Sequence, residues 1–144
     1  MSGLAQSWLF WALLSAIFAA MTAILAKIGT QNVDADVAMV VRTVVILALA
    51  FGIVSVRGKL GGVGSVPGNS LGWLIASGLA TGASWMCYFR ALKLGPASRV
   101  APIDKLSVVF VAIFAVLLLG ERLSWTGWAG VGLIAAGAGL LAIS

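Results

Sequence analysis

Long hydrophobic runs separated by short polar segments fill the chain from Trp8 onwards. At about 1.5 Å per residue, a helical run of about 20 residues crosses a hydrocarbon layer about 30 Å thick. The pattern predicts five transmembrane helices, over residues 8–26, 37–56, 71–89, 100–119 and 125–143. We therefore expect an all-α, polytopic membrane protein that forms a single transmembrane domain over residues 1–144.

Polar connections and tryptophans support this odd number of spans. Residues 29–36 and the glycine-rich residues 57–70 read as loops. With five spans the two chain ends lie on opposite sides of the membrane, and five tryptophans then fall on the N-terminal side, as in an interfacial aromatic belt. These tryptophans are Trp8, Trp11, Trp73, Trp125 and Trp128.

The composition excludes several classes of protein. Of the 144 residues, 62% are hydrophobic and 9% are charged, and the mean hydropathy is +1.14, which a water-soluble domain of this size would not tolerate. One cysteine, no histidine and four acidic residues leave no internal disulfide and no cluster of metal ligands. We expect no metal, no cofactor and no enzyme activity. The net charge of +5 fits basic residues flanking a membrane better than a nucleic-acid surface.

Basic residues at the ends of the runs give little information on orientation. No lysine or arginine precedes the first run, so we expect no cleaved signal peptide. Four basic residues flank one face of the membrane (Lys27, Arg90, Lys93, Arg99) and three flank the other (Arg57, Lys59, Arg122). This small excess favours an external N-terminus and also permits insertion in both orientations.

Three charges lie inside hydrophobic runs. Because spans two and four begin on the same side, Arg42, Asp104 and Lys105 are expected at similar depth. In a structural interpretation, Asp104 lies in a first helical turn two residues after Pro102, pairs with Arg42, and Lys105 snorkels to the surface. In a functional interpretation, the three charges line a water-filled path and bind a charged or zwitterionic solute. Both interpretations stay open.

Span three has a polar face. Ser77, Thr81, Ser84 and Tyr88 are spaced by four, three and four residues, and Trp85 lies beside them. This face offers hydrogen bonds and an aromatic wall to a solute, although serine and threonine in membrane helices also bond to their own backbone.

Small residues at four-residue spacing indicate close helix contacts in spans three and five. Gly78 and Gly82 form a GxxxG pair in span three. Span five contains two further pairs, Gly132 with Ala136 and Ala135 with Gly139. Such pairs serve packing within one bundle, and the alternative is that span five forms a dimer seam.

A set of short motifs resembles the EamA-like domain of the drug/metabolite transporter superfamily. They are Ala91-Leu92, Gly95-Pro96-Ala97, the segment from Leu119 to Leu123 (LGERL), Gly130, Leu133-Ile134 and Gly137. Arg42 resembles the basic residue common near the start of span two in this family. A typical proline of span four corresponds here to Ser107.

The resemblance implies a helical carrier for small metabolites. Many relatives have ten spans in two inverted halves, and this chain resembles one half, so a second copy would complete the fold. Four-span relatives of the small multidrug resistance type use a carboxylate in span one to couple protons to cationic drugs. Span one here has no acid, so that mechanism does not carry over.

These observations predict a homodimeric secondary transporter in the bacterial cytoplasmic membrane. We expect it to export small polar or zwitterionic metabolites by alternating access, with an antiparallel pair recreating the inverted repeat. Arg42 and Lys105 would attract an anionic group, Asp104 would bind a cationic group or a coupling proton, and Trp85 and Tyr88 would contact apolar parts. The alternatives are a small multidrug-type cation exporter and a non-transport membrane accessory or scaffold subunit.

Overall fold

The computed structural model describes residues 7–143, and in this range the chain is helical throughout its regular structure. The described residues form six α-helices and a short 3-10 helix at Leu60–Ser65. The α-helices are α1 (Trp8–Gly29), α2 (Ala35–Val56), α3 (Gly68–Leu94), α4 (Ala97–Asp104), α5 (Ser107–Leu118) and α6 (Trp125–Ile143).

Within residues 7–143, four helical segments are long and apolar enough to cross a membrane: α1, α2, the α4–α5 segment Ala97–Leu118, and α6. This confirms the prediction of an all-α, polytopic membrane protein. Helix α3 is the longest at 27 residues but is not among the four. Its glycines, serines and threonine lower its hydropathy, so a fifth crossing by α3 stays a prediction.

Residues 28–93 form one compact unit, which contains α2 and α3. Helix α2 begins at an N-cap, where Oδ1 of Asp34 accepts a hydrogen bond of 2.9 Å from the Asp36 N–H. It ends in a Schellman motif, in which Lys59 N–H donates to Val54 O at 3.0 Å. Gly58 adopts the left-handed conformation that this motif requires, with φ of 64°. The two caps set the length of α2 at 22 residues.

Of the described residues, 7–27 and 94–143 belong to the second unit, in which α6 packs against α4 and α5. Lys27 Nζ donates to Gly95 O at 2.9 Å and so joins the end of α1 to the turn before α4. Helix α5 is followed by Gly120, with φ of 69°, and Glu121 N–H turns back to Ala115 O at 3.1 Å.

The predicted fourth span is not one continuous α-helix. Helix α4 ends at Asp104, and the backbone passes through Lys105 and Leu106 with short-range bonds of the 3-10 type, such as Leu106 N–H to Ile103 O at 3.0 Å. Pro102 lies inside α4 and has no N–H to contribute to the helical ladder. The prediction that Asp104 lies in a first helical turn was wrong, because Asp104 is the last residue of α4.

Candidate functional site

The guanidinium group of Arg42, the charged residue inside α2, stacks on two aromatic rings of α3. Arg42 lies seven residues after Ala35, which places it about 10 Å along the helix. Its guanidinium carbon is 4.3 Å from the centre of the Trp85 ring and 5.5 Å from that of Phe89. Within residues 28–93, no carboxylate pairs with Arg42. The guanidinium is held by cation–π contacts that leave its N–H donors available.

Two basic residues near the end of α3 contact the segment that leads into α2. Arg90 forms an ion pair with Asp36, with 3.1 Å between Nη2 and Oδ2. Lys93 Nζ donates to Val33 O at 2.9 Å. The start of α2 therefore lies beside the end of α3, so the two helices run antiparallel. This register brings Arg42 level with Trp85.

The electrostatics of this segment centre on Asp34. Hydrogen bonds from the backbone N–H groups of Asp36 and Val37 lower the pKa of Asp34, and the charges of Lys93 and Arg90 lower it further. The carboxylate at the N-cap of α2 is thus held in its charged form.

An open groove of about 560 Å³ runs between α2 and α3. Its volume lies in the range of sites that hold small organic molecules. Arg42 is not a lining residue, but it stacks on Trp85, which lines the groove. The lining residues are Met39, Val40, Thr43, Val44, Leu74, Ser77, Gly78, Thr81, Gly82 and Trp85.

Most residues that line the groove are apolar, and its two threonine hydroxyls donate hydrogen bonds to backbone carbonyls of their own helices. Thr43 Oγ1 donates to Met39 O at 2.8 Å, and Thr81 Oγ1 donates to Ser77 O at 2.9 Å. Both bonds stay within one helix, as is common for threonine in membrane helices. The hydroxyl oxygens remain as acceptors, so the groove offers few donors of its own.

The predicted polar face of α3 contributes only partly to the groove. Ser77, Thr81 and Trp85 line it, whereas Ser84 and Tyr88 do not. Sequence reasoning missed Phe89, which is 2% exposed and supplies the second ring beneath Arg42. Its position four residues after Trp85 was the available signal, because such residues share a helical face.

The other two predicted charges form a pair at the break between α4 and α5. Lys105 Nζ lies 3.2 Å from Oδ2 of Asp104, and the side chains are 57% and 34% exposed. Where it faces water, a pair this exposed contributes at most about 1 kcal/mol to stability. The proximity of this pair to Arg42 stays a prediction.

The described part of the chain contains no set of side chains that could bind a metal ion. Residues 7–143 contain no group of three or more histidine, cysteine, aspartate or glutamate side chains placed to hold an ion. The free Cys87 is exposed.

Comparison with known proteins identifies the family. The profile of the EamA-like transporter family matches residues 6–143. The chain is also 57% identical over 140 residues to an uncharacterized transporter in the cobO 3' region of a Sinorhizobium species, covering 97% of this chain and 99% of that protein. The chain belongs to the EamA-like transporter family. This confirms the resemblance found in the sequence, and both names indicate a transporter rather than an enzyme.

More distant relatives of this EamA-like chain are named as parts of a larger assembly. Probable 4-amino-4-deoxy-L-arabinose-phosphoundecaprenol flippase subunits ArnE of Aeromonas hydrophila and Aeromonas salmonicida are each 36% identical over 69 residues. That match covers 48% of this chain and 60% of each ArnE protein. No solved structure matches the chain.

Proposed function

We propose that this EamA-like transporter is a secondary exporter of small polar or zwitterionic metabolites. It acts by alternating access as a homodimer in the cytoplasmic membrane, with α3 as the fifth crossing of a single domain over residues 1–144. The observation that carries the proposal is the guanidinium of Arg42, which lies inside an apolar helix and beside a groove of suitable size.

The unfavourable free energy of placing the Arg42 charge in a membrane helix supports a role for this residue in function. An arginine at the centre of a membrane helix disfavours insertion by about 2.5 to 3.5 kcal/mol. Charges in this environment face an interior or a water-filled cavity, and they mark substrate or ion pathways. Arg42 recovers part of the cost by stacking on Trp85 and Phe89, and its N–H donors can still bind an anionic group.

The remaining predicted residues have complementary roles in this proposal. Trp85 and Tyr88 contact apolar parts of the solute, the hydroxyls of Ser77 and Ser84 accept or donate hydrogen bonds, and the hydroxyl of Thr81 accepts one. Lys105 attracts an anionic group, and Asp104 binds a cationic group or a coupling proton. The turn at Lys105 interrupts a membrane-length segment, and interrupted helices form substrate and ion sites in many transporters.

A proteoliposome assay tests transport directly. Purified protein is reconstituted, a panel of labelled metabolites is loaded, and the efflux of each is measured. Asp104→Asn should abolish efflux while the dimer stays intact, whereas Glu121→Gln, an acid beyond the end of α5, should leave efflux unchanged. Efflux that persists in Asp104→Asn would remove this carboxylate from the mechanism.

A second candidate is an accessory subunit without transport activity of its own. The relatives from Aeromonas support it, since they are named as subunits of a flippase. This role predicts no efflux from proteoliposomes that contain the chain alone, for any compound. A multidrug cation exporter, the remaining alternative, predicts broad efflux of organic cations, which the positive charge of Arg42 disfavours.

A further inference from the structure

We propose that the ligand of the α2–α3 groove is an amphiphilic organic anion. Its carboxylate or phosphate group binds the guanidinium of Arg42, and its apolar body lies along the groove towards Leu74. This inference rests on the proposed function and narrows its substrate class from polar metabolites to those that combine an anion with an apolar body.

The compact unit of residues 28–93 leaves no carboxylate to pair with Arg42. Residues 28–93 contain two acidic side chains, Asp34 and Asp36. Asp36 pairs with Arg90, and Asp34 accepts hydrogen bonds from the backbone at the start of α2. Both carboxylates are therefore engaged at the N-terminal start of α2, and Arg42 lies about two turns further along the helix.

The geometry of a stacked guanidinium favours carboxylate or phosphate. The planar group presents paired N–H donors at its edge, and these match two oxygens of one carboxylate or phosphate. The guanidinium carbon lies over the rings of Trp85 and Phe89, and a ring face provides no acceptor oxygen for the paired N–H donors. The aromatic rings thus orient Arg42 for an anion without neutralising it.

The groove beside Arg42 suits an apolar body. From Trp85 to Leu74 it extends over eleven residues of α3, or about 16 Å. Within the described structure, a methyl group at Gly78 or Gly82 would meet no atom within 4 Å apart from its chain neighbours and the backbone of its own helix, so the middle of the groove is open. Thr43 and Thr81 donate to their own helices and give a ligand no hydroxyl donor.

A helix from a second copy is the main rival occupant, since Gly78 and Gly82 form a GxxxG pair. An apolar helix would fill the groove but would leave Arg42 without a counterion in the membrane. Charge complementarity therefore favours the anionic amphiphile over the helix as the occupant of the groove.

The test is a binding measurement on the full chain in lipid-free detergent micelles, by isothermal titration calorimetry. The probes are phenylpropionate, phenylpropionamide and phenylpropylamine, which share one apolar body and differ in charge. Because hydrogen bonds to charged groups are strong, the anion should bind about tenfold to a hundredfold more tightly than the amide or the amine. Equal affinities, or a preference for the amine, would overturn the proposal.

Matched variants separate the charge from the groove. Arg42→Gln should remove the preference for the anion, whereas Arg57→Gln, at the C-cap of the same helix, should retain it. Gly82→Leu fills the groove and should abolish binding of all three probes, while Gly72→Leu makes the same change in α3 outside the lining. Leucine favours a helix over glycine, so neither glycine variant is expected to unfold α3.

Two further readouts assign the source of the anion and test the rival occupant. If phosphatidylglycerol in nanodiscs displaces phenylpropionate, the anion is a lipid headgroup, and if it does not, the anion is a soluble solute. Dissociation of a dimer by Gly82→Leu without loss of probe binding would make the groove a helix interface and overturn the proposal. Calorimetry measures binding and does not depend on transport. A chain that binds the anion but transports no compound would therefore refute the proposed function and leave the proposed ligand class intact.

Discussion

Replacing Arg42 by leucine separates a charge that stabilises the fold from one that serves a ligand. The described contacts of Arg42 are two cation–π contacts, at 4.3 and 5.5 Å, which together contribute about 0.5 to 2 kcal/mol. Leucine at a helix centre favours membrane insertion by about 0.3 to 0.6 kcal/mol, whereas arginine opposes it by about 2.5 to 3.5. Insertion of α2 should therefore improve by up to about 4 kcal/mol, while folded stability falls by at most about 2.

Two assays measure these opposing effects. Insertion of the α2 segment is measured with glycosylation sites placed on either side of it, and folded stability is measured by thermal denaturation in micelles. Arg42→Lys retains the charge and should leave insertion nearly unchanged, which makes it the control. Unchanged insertion of Arg42→Leu together with loss of the folded state would show that Arg42 is a structural residue, and the functional interpretation would fail.

Three further predictions concern local features of the fold. Gly58→Ala forces a left-handed conformation on alanine and should destabilise the protein by about 1 to 2 kcal/mol in a thermal melt, whereas Gly61→Ala, outside that conformation, should have little effect. Because the pKa of Asp34 is lowered from 3.8 in the folded state, its contribution to stability is present above that value and is lost as the pH falls through the lower folded pKa. The melting temperature of the wild type should therefore fall more steeply below about pH 4 than that of Asp34→Asn, and parallel curves would contradict the hydrogen-bonded cap. Asp104→Asn should cost less than about 1 kcal/mol, because its pair with Lys105 is exposed, and a larger loss would indicate a buried partner.

Hydropathy alone predicted most of the helices. The predicted spans 8–26, 37–56 and 125–143 lie within Trp8–Gly29, Ala35–Val56 and Trp125–Ile143, because burial in lipid selects long apolar runs whatever their tertiary contacts. Helix α3 begins three residues before the prediction, since Gly68, Asn69 and Ser70 resemble loop residues.

The interruption of the fourth span was not predictable from hydropathy. Val100 to Leu119 averages as apolar whether or not the backbone turns at Lys105, so the pattern gives no sign of the break. Pro102 was the available signal, but a proline is equally compatible with the first turn of a helix, and the sequence reasoning placed it there.

The candidate site was predictable only in its charged and aromatic parts. Arg42 is conspicuous because it interrupts an apolar run, and Trp85 lies beside a polar face of its helix. Residues of α2 such as Met39 and Val40 also line the groove, but they do so only because α2 and α3 pack in an antiparallel register. The periodicity of one helix shows which residues share a face, but it does not show what that face meets.

The central claim is that Arg42 binds the anion of a transported solute, and uptake into proteoliposomes tests it most directly. Labelled phenylpropionate is added to vesicles that contain the wild type, Arg42→Gln or Arg57→Gln. The account predicts uptake that is competed by unlabelled anion in the wild type and in Arg57→Gln, and its loss in Arg42→Gln. Equal uptake by all three proteins, or by the wild type and Arg42→Gln, would contradict it.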